Sequence, residues 1–118
     1  MSVVITGLGA VGSYGCGRQR IAEALANNTL TTSEVERSGF HRREGSRRAA
    51  LAGSLDLSGW VVPAAARRMS TPSKYAVAAA RMALQDAGLA PEEVAGPTAV
   101  VMATAFGPTS FTEKLLLQ

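Results

Sequence analysis

Three glycines near the amino end, Gly7, Gly9 and Gly12, stand in the spacing G-x-G-x-x-G directly after the run Val3-Val4-Ile5-Thr6. Such glycines can bring a backbone against a pyrophosphate where a helix opens, so a dinucleotide-binding fold is one reading. Two features argue against it. The fingerprint needs a helix opening inside the glycine run, yet Gly15 and Gly17 prolong the irregular stretch and helical signal begins only near Arg18. It also needs a second strand closing on an acidic residue about 20 positions further on. Residues 27–36 read NNTLTTSEVE, with no apolar strand before Glu34 or Glu36. The alternative is a buried β-branched strand over Val3–Thr6 that turns sharply, its backbone packed closely on a neighbour.

Other reactive side chains are few. Cys16 is the only cysteine, so no intramolecular disulfide can form and no cysteine-based metal site has its spacing. It lies near the start of a helix, where a thiol can ionise more readily, but no second histidine stands ready to pair with it and it reads as structural. His41, beside Phe40 in a loop, reads as a surface histidine. With one histidine and two aspartates, no Ser/His/Asp set, acid pair or metal cluster can be assembled. No catalytic residue, bound cofactor or metal is therefore assigned to this chain.

The elements that position these residues centre on 67–89, RRMSTPSKYAVAAARMALQDAGL. Thr71 is expected to cap a helix through its hydroxyl, with Pro72 at the first helical position. Ala76, Val77, Ala80, Ala83, Leu84 and Ala87 recur at spacings of three and four, an apolar stripe about 100° wide. Lys74, Arg81 and Gln85 fall opposite. Gly88 supplies a left-handed stop and Pro91 follows. Ala78, Ala79 and Ala80 make the helix thin, able to approach another element closely, and its broad apolar circumference expects cover on more than one side.

Around it, Arg18–Ala26 reads as a short amphipathic helix with Ile21, Ala24 and Leu25 inward, ended by Asn27-Asn28. Residues 29–66 carry little period and read as a long basic excursion with one or two short elements. Arg37, Arg42, Arg43, Arg47 and Arg48 gather there, with Arg67 and Arg68 just beyond, against only Glu36, Glu44 and Asp56. This is a solvated face or a patch for an acidic partner. Nucleic acid is disfavoured, because no DNA-binding motif is present. Trp60-Val61-Val62-Pro63 reads as an anchor returning the chain to its body. Ala99–Met102 reads as a second strand buried on both faces, and two strands joined through helices suggest parallel neighbours in an α/β layer. A last helix is expected from Thr109 to Gln118, capped by Thr109 or Ser110, with Phe111, Leu115 and Leu116 on its apolar side. The run Leu115–Leu117 carries no stop signal, so further chain, or another chain, is expected to meet it.

Length and composition bound the rest. The chain has 118 residues, one domain at most. Apolar residues make up 47% and aromatics only 5%, so a core of aliphatics and alanine is expected rather than disorder. Net charge is +3 and the pI about 9.6. No basic leader with a cleavage site precedes the first strand, and no apolar run approaches the roughly 18 residues of a membrane span. A reducing cytoplasm suits the single cysteine.

Arg68-Met69-Ser70, the alanine-rich run and Ala83-Leu84-Gln85-Asp86-Ala87-Gly88-Leu89 together resemble the β-ketoacyl synthases, the thiolase-fold condensing enzymes. Val4–Gly9 is similar to the Thr-Gly-Leu-Gly end of that family's first strand, and Ala24-Leu25 to the end of its next helix. The resemblance covers nearly all of this chain but only the first part of the family's longer one. It implies an α/β fold, the N-terminal part of a thiolase-like layered αβα body that is incomplete by itself. It also implies decarboxylative Claisen condensation of acyl thioesters, in fatty-acid or polyketide assembly.

The family's acyl-carrying cysteine and its histidines lie beyond the segment that this chain resembles, and Cys16 does not match the nucleophile. Within the segment, Phe106, in Thr104-Ala105-Phe106-Gly107, matches the position in a glycine-rich loop that lines the acyl tunnel near a dimer interface. Thr104, Ala105 and Pro108 depart from the glycine and serine usual there, as in the chain-length-factor partners that have lost the nucleophile. Phe106 is otherwise an ordinary core aromatic. Arg67 and Arg68 match basic positions that meet the acyl carrier protein and its phosphopantetheine. The implied partners are the remainder of the ketosynthase fold, a homo- or heterodimeric mate, and that carrier protein. The other reading from the residues is a non-catalytic interaction module whose basic loop binds an acidic protein.

Overall fold

A computed structural model describes residues 2–35 and 48–117; the side chain of Phe111 is outside the description. Arg37, Phe40, His41, Arg42, Arg43, Glu44, Arg47 and Glu36 lie outside the described residues, so most of the basic excursion does too.

The central helix, α3, spans Thr71–Asp86. Its cap is Ser70, not Thr71: the Ser70 hydroxyl accepts the backbone N–H of Ser73 at 3.2 Å. Ser70 has extended backbone angles and so can turn its side chain onto the open first turn, a bond worth about 1 kcal/mol. Thr71 is already helical. The other end stops as expected. Gly88 sits at φ 70°, the N–H of Leu89 donates to the Leu84 carbonyl at 2.9 Å, and that of Gly88 donates to Gln85 at 3.0 Å.

A shorter helix, α1, spans Arg18–Ala26 and closes with the same motif built on asparagine. Asn28 takes φ 49°, and the Thr29 N–H reaches the Ala24 carbonyl at 2.9 Å. Ile21 and Ala24 are half-buried, but Leu25 is 75% exposed, because no described element lies over that side. Before α1, strands β1 (Val11–Gly12) and β2 (Gly15–Cys16) pair antiparallel. The Gly17 N–H donates to the Ala10 carbonyl at 2.8 Å and closes this hairpin, with Gly15 and Gly17 at positive φ. The stretch expected to be irregular is thus a tight hairpin. Two further two-residue strands, β3 (Ser33–Glu34) and β4 (Arg48–Ala49), pair antiparallel across the excursion.

Asp56 accepts the Ser58 N–H at 2.9 Å, and the turn continues through Trp60 and Val61, whose N–H groups both donate to Leu57. Val61 is buried and Trp60 half-buried; Val62, included in the expected anchor, is 52% exposed. Helix α2 follows over Pro63–Ala66. Among the described residues the buried ones are Val61, Ala78 and Met82, with Val11, Cys16, Leu57, Trp60, Ala66, Met69 and Val77 packed against them. The buried edge of α3 is therefore centred on Ala78 and Met82, one turn apart, and Ala80 of the expected stripe faces out. Cys16 is a free, half-buried member of this packing.

The α3 face beside that edge carries Ala79, Ala83 and Ala87 at every fourth position, and the amino-terminal segment lies along it. A Cβ on Gly7 would strike the Ala83 carbonyl oxygen and come within 2.9 Å of the Ala87 Cβ. One on Gly9 would strike the Ala79 carbonyl oxygen and approach the Ala83 N–H nitrogen to 2.7 Å. Asp86 fastens the contact. Its carboxylate accepts the Leu8 N–H at 3.0 Å and pairs with the Arg18 guanidinium at 3.3 Å, joining the segment, α3 and α1 at one point.

Two expected strands are absent from the described structure. Val3–Thr6 and Ala99–Met102 lie in no ladder, and Val3, Ile5, Val100 and Val101 are each more than 80% exposed. A strand exists only with a neighbour to take its N–H and C=O groups, and here neither run has one. The parallel α/β pairing expected of them is likewise not formed among the described residues. The final helix, α4, spans Thr109–Leu116 with Pro108 at the cap position and no side-chain capping bond, so neither Thr109 nor Ser110 caps it. Leu115, Leu116 and Leu117 are exposed.

The accessible surface is 10165 Å². A compact 12.2 kDa chain exposes roughly 6,100 Å². The radius of gyration is 17.1 Å, where about 13.5 Å is usual for this length. By itself the chain leaves much of its apolar surface uncovered.

Two substitutions test the packing on α3. Gly9→Ala should lower stability by about 1–3 kcal/mol in urea unfolding at unchanged m, because the methyl meets helix backbone that cannot yield. Gly59→Ala, where the added carbon meets nothing within 4 Å, should stay within about 1 kcal/mol of the parent. Asp86→Asn keeps an acceptor for Leu8 but loses the ion pair. It should cost on the order of 0.5–1.5 kcal/mol, less in high salt, since Arg18 is 61% exposed.

Candidate functional site

The loop between the second apolar run and α4 is built on one turn. The Thr104 hydroxyl accepts the Gly107 N–H at 3.0 Å, and Gly107 takes φ 60°, which a side chain would resist. The Thr109 N–H then donates to the Gly107 carbonyl at 3.0 Å, leading into α4. This brings Thr104, Phe106 and Gly107 together and pushes the Phe106 ring outward, 86% exposed. Phe106 is therefore not a core aromatic of this chain. A ring held in the open by a hydrogen-bonded turn is available to line a surface that another body completes.

Arg67 and Arg68 stand at the opposite kind of place, a helix-to-helix joint. Arg67 is the C-terminal cap residue of α2, and the Arg68 N–H donates to the Ala65 carbonyl at 3.0 Å. Both side chains are exposed. Helix α2 ends at Ala66 and Ser70 caps α3, so the two arginines lie on a short joint between the helices. Such a pair can grip carboxylates or a phosphate through planar, two-pronged hydrogen bonds.

Asp56 is the acid of the excursion within the described residues that the sequence set against the arginines. The backbone N–H of Ser58, and then its side chain, hold the Asp56 carboxyl below its ordinary pKa. The carboxylate is engaged by Ser58 within its own turn. The part of its stability that this turn supplies is present above the ordinary carboxyl pKa and fades as pH falls below it.

The glycine fingerprint has no phosphate-binding geometry. Gly7 and Gly9 direct their open faces at the α3 backbone, and Gly12 directs its own at the Tyr14 ring, 2.7 Å from an added Cβ. Helix α1 begins only after the hairpin, and its first turn follows Gly17. The close backbone packing proposed as the alternative accounts for Gly7 and Gly9.

A feature not foreseen is an open groove of about 300 Å³ beside the carboxyl end of α3, lined by Trp60, Arg81, Leu84, Gln85, Leu89 and Pro91. Its sequence signals were Leu84 on the apolar stripe and Trp60 in the expected anchor. Among the described residues no three His, Cys, Asp or Glu side chains gather, and no helix is long and apolar enough to cross a membrane.

Comparison with curated proteins and with solved structures gave no match. A family model described as beta-ketoacyl synthase, N-terminal domain, matches residues 1–118, the whole sequence. The match includes Arg68-Met69-Ser70, the alanine-rich run of α3, Ala83–Leu89, Val4–Gly9 and Ala24-Leu25, the residues that carry the resemblance. This chain belongs to the β-ketoacyl synthase family, as its N-terminal domain.

Proposed function

We propose that this domain takes part in decarboxylative Claisen condensation of acyl thioesters held on an acyl carrier protein. It would do so as the N-terminal portion of a β-ketoacyl synthase or of its ketosynthase-like chain-length partner. The family match over residues 1–118 carries this reading. The exposed runs Val3–Thr6 and Ala99–Met102 and the leucines at the end of α4 support it: they are the surfaces that a larger layered αβα body would cover. A thiolase-like fold completed by the rest of the synthase, in a homo- or heterodimer in the cytoplasm, belongs to the same proposal.

In this reading the nucleophilic cysteine and the histidines come from the remainder of the fold, and this domain shapes and docks. Phe106, with Thr104 and Gly107 fixing its turn, lines the acyl tunnel. A bulky ring there blocks further chain growth, because a packed wall relieves overcrowding only at a cost of about 1–3 kcal/mol. Arg67 and Arg68 receive the carrier protein, by its acidic side chains or the phosphate of its phosphopantetheine arm. Fatty-acid and polyketide assembly both use such a division of labour, and the residues here suit either.

Product analysis of the complete assembly with carrier-bound acyl thioesters tests the reading. β-Ketoacyl products are expected; a complete assembly that binds carrier protein yet yields none, whatever the acyl group, overturns it. Phe106→Ala should shift products to longer chains at similar total turnover, and an unchanged length distribution removes the tunnel role. Arg67→Glu with Arg68→Glu should weaken carrier-protein binding by about tenfold at low salt, the gap closing as salt rises. Equal affinities at low salt remove the docking role.

A further inference from the structure

We draw no further inference here: the strongest candidate, the open apolar groove beside the carboxyl end of α3 lined by Trp60, Leu84, Leu89 and Pro91 with Arg81 at its rim, carries nothing because nothing in the structure shows what covers it.

Discussion

The structure depends on one close approach, the backbone of Gly7–Gly9 lying on the row Ala79, Ala83 and Ala87 of α3. Only a helix with methyl groups along that line, met by a segment without side chains facing it, allows backbone to touch backbone. The contact brings little apolar area, so it is fixed by polar means at its edge. Asp86 joins the Leu8 N–H and the Arg18 guanidinium and so ties segment, α3 and α1 together. The adjoining edge of α3, Ala78 and Met82, then packs on Val61 and Trp60 and brings in the excursion. One thin helix thus organises the elements that precede it in the chain.

What could be read from the residues follows the range of the forces involved. Both long helices were legible because their causes are local: periodic apolar spacing and a left-handed glycine or asparagine at the end, with a proline in the first turn of α3. Even so, Ser70 and Thr71 are neighbouring hydroxyls, and only backbone angles decide which one caps. The inward face of α1 was misjudged at Leu25 because amphipathic spacing names a face without saying how much of it is covered. The purpose of the glycines was legible as close packing, but the partner, a row of alanines some seventy residues away, was not.

The two apolar runs teach the opposite lesson. Val3–Thr6 and Ala99–Met102 have the composition of buried strands, yet they make no ladder in this chain. β-Propensity describes fitness for a pleated, covered surface, and it yields a strand only where a neighbour exists. The same uncovered surfaces, with Phe106 and the leucines of α4 among them, agree with the match to a β-ketoacyl synthase N-terminal domain. Of the candidate site, the turn that carries Phe106 follows from Thr104 and Gly107, whereas the exposure of its ring followed from no local pattern. His41 and the excursion arginines Arg37, Arg42, Arg43 and Arg47 lie outside the described residues, and the candidate site rests on Thr104, Phe106, Gly107, Arg67 and Arg68.

The central claim is that these uncovered runs become strands only when the rest of a ketosynthase body closes over them. Amide hydrogen exchange at residues 3–6 and 99–102 measures this directly, comparing the 118-residue chain alone with the same chain in the proposed ketosynthase assembly. The account predicts exchange close to that of free backbone in the isolated chain and strong protection in the assembly. Equal, rapid exchange in both would contradict it, as would full protection in the isolated chain.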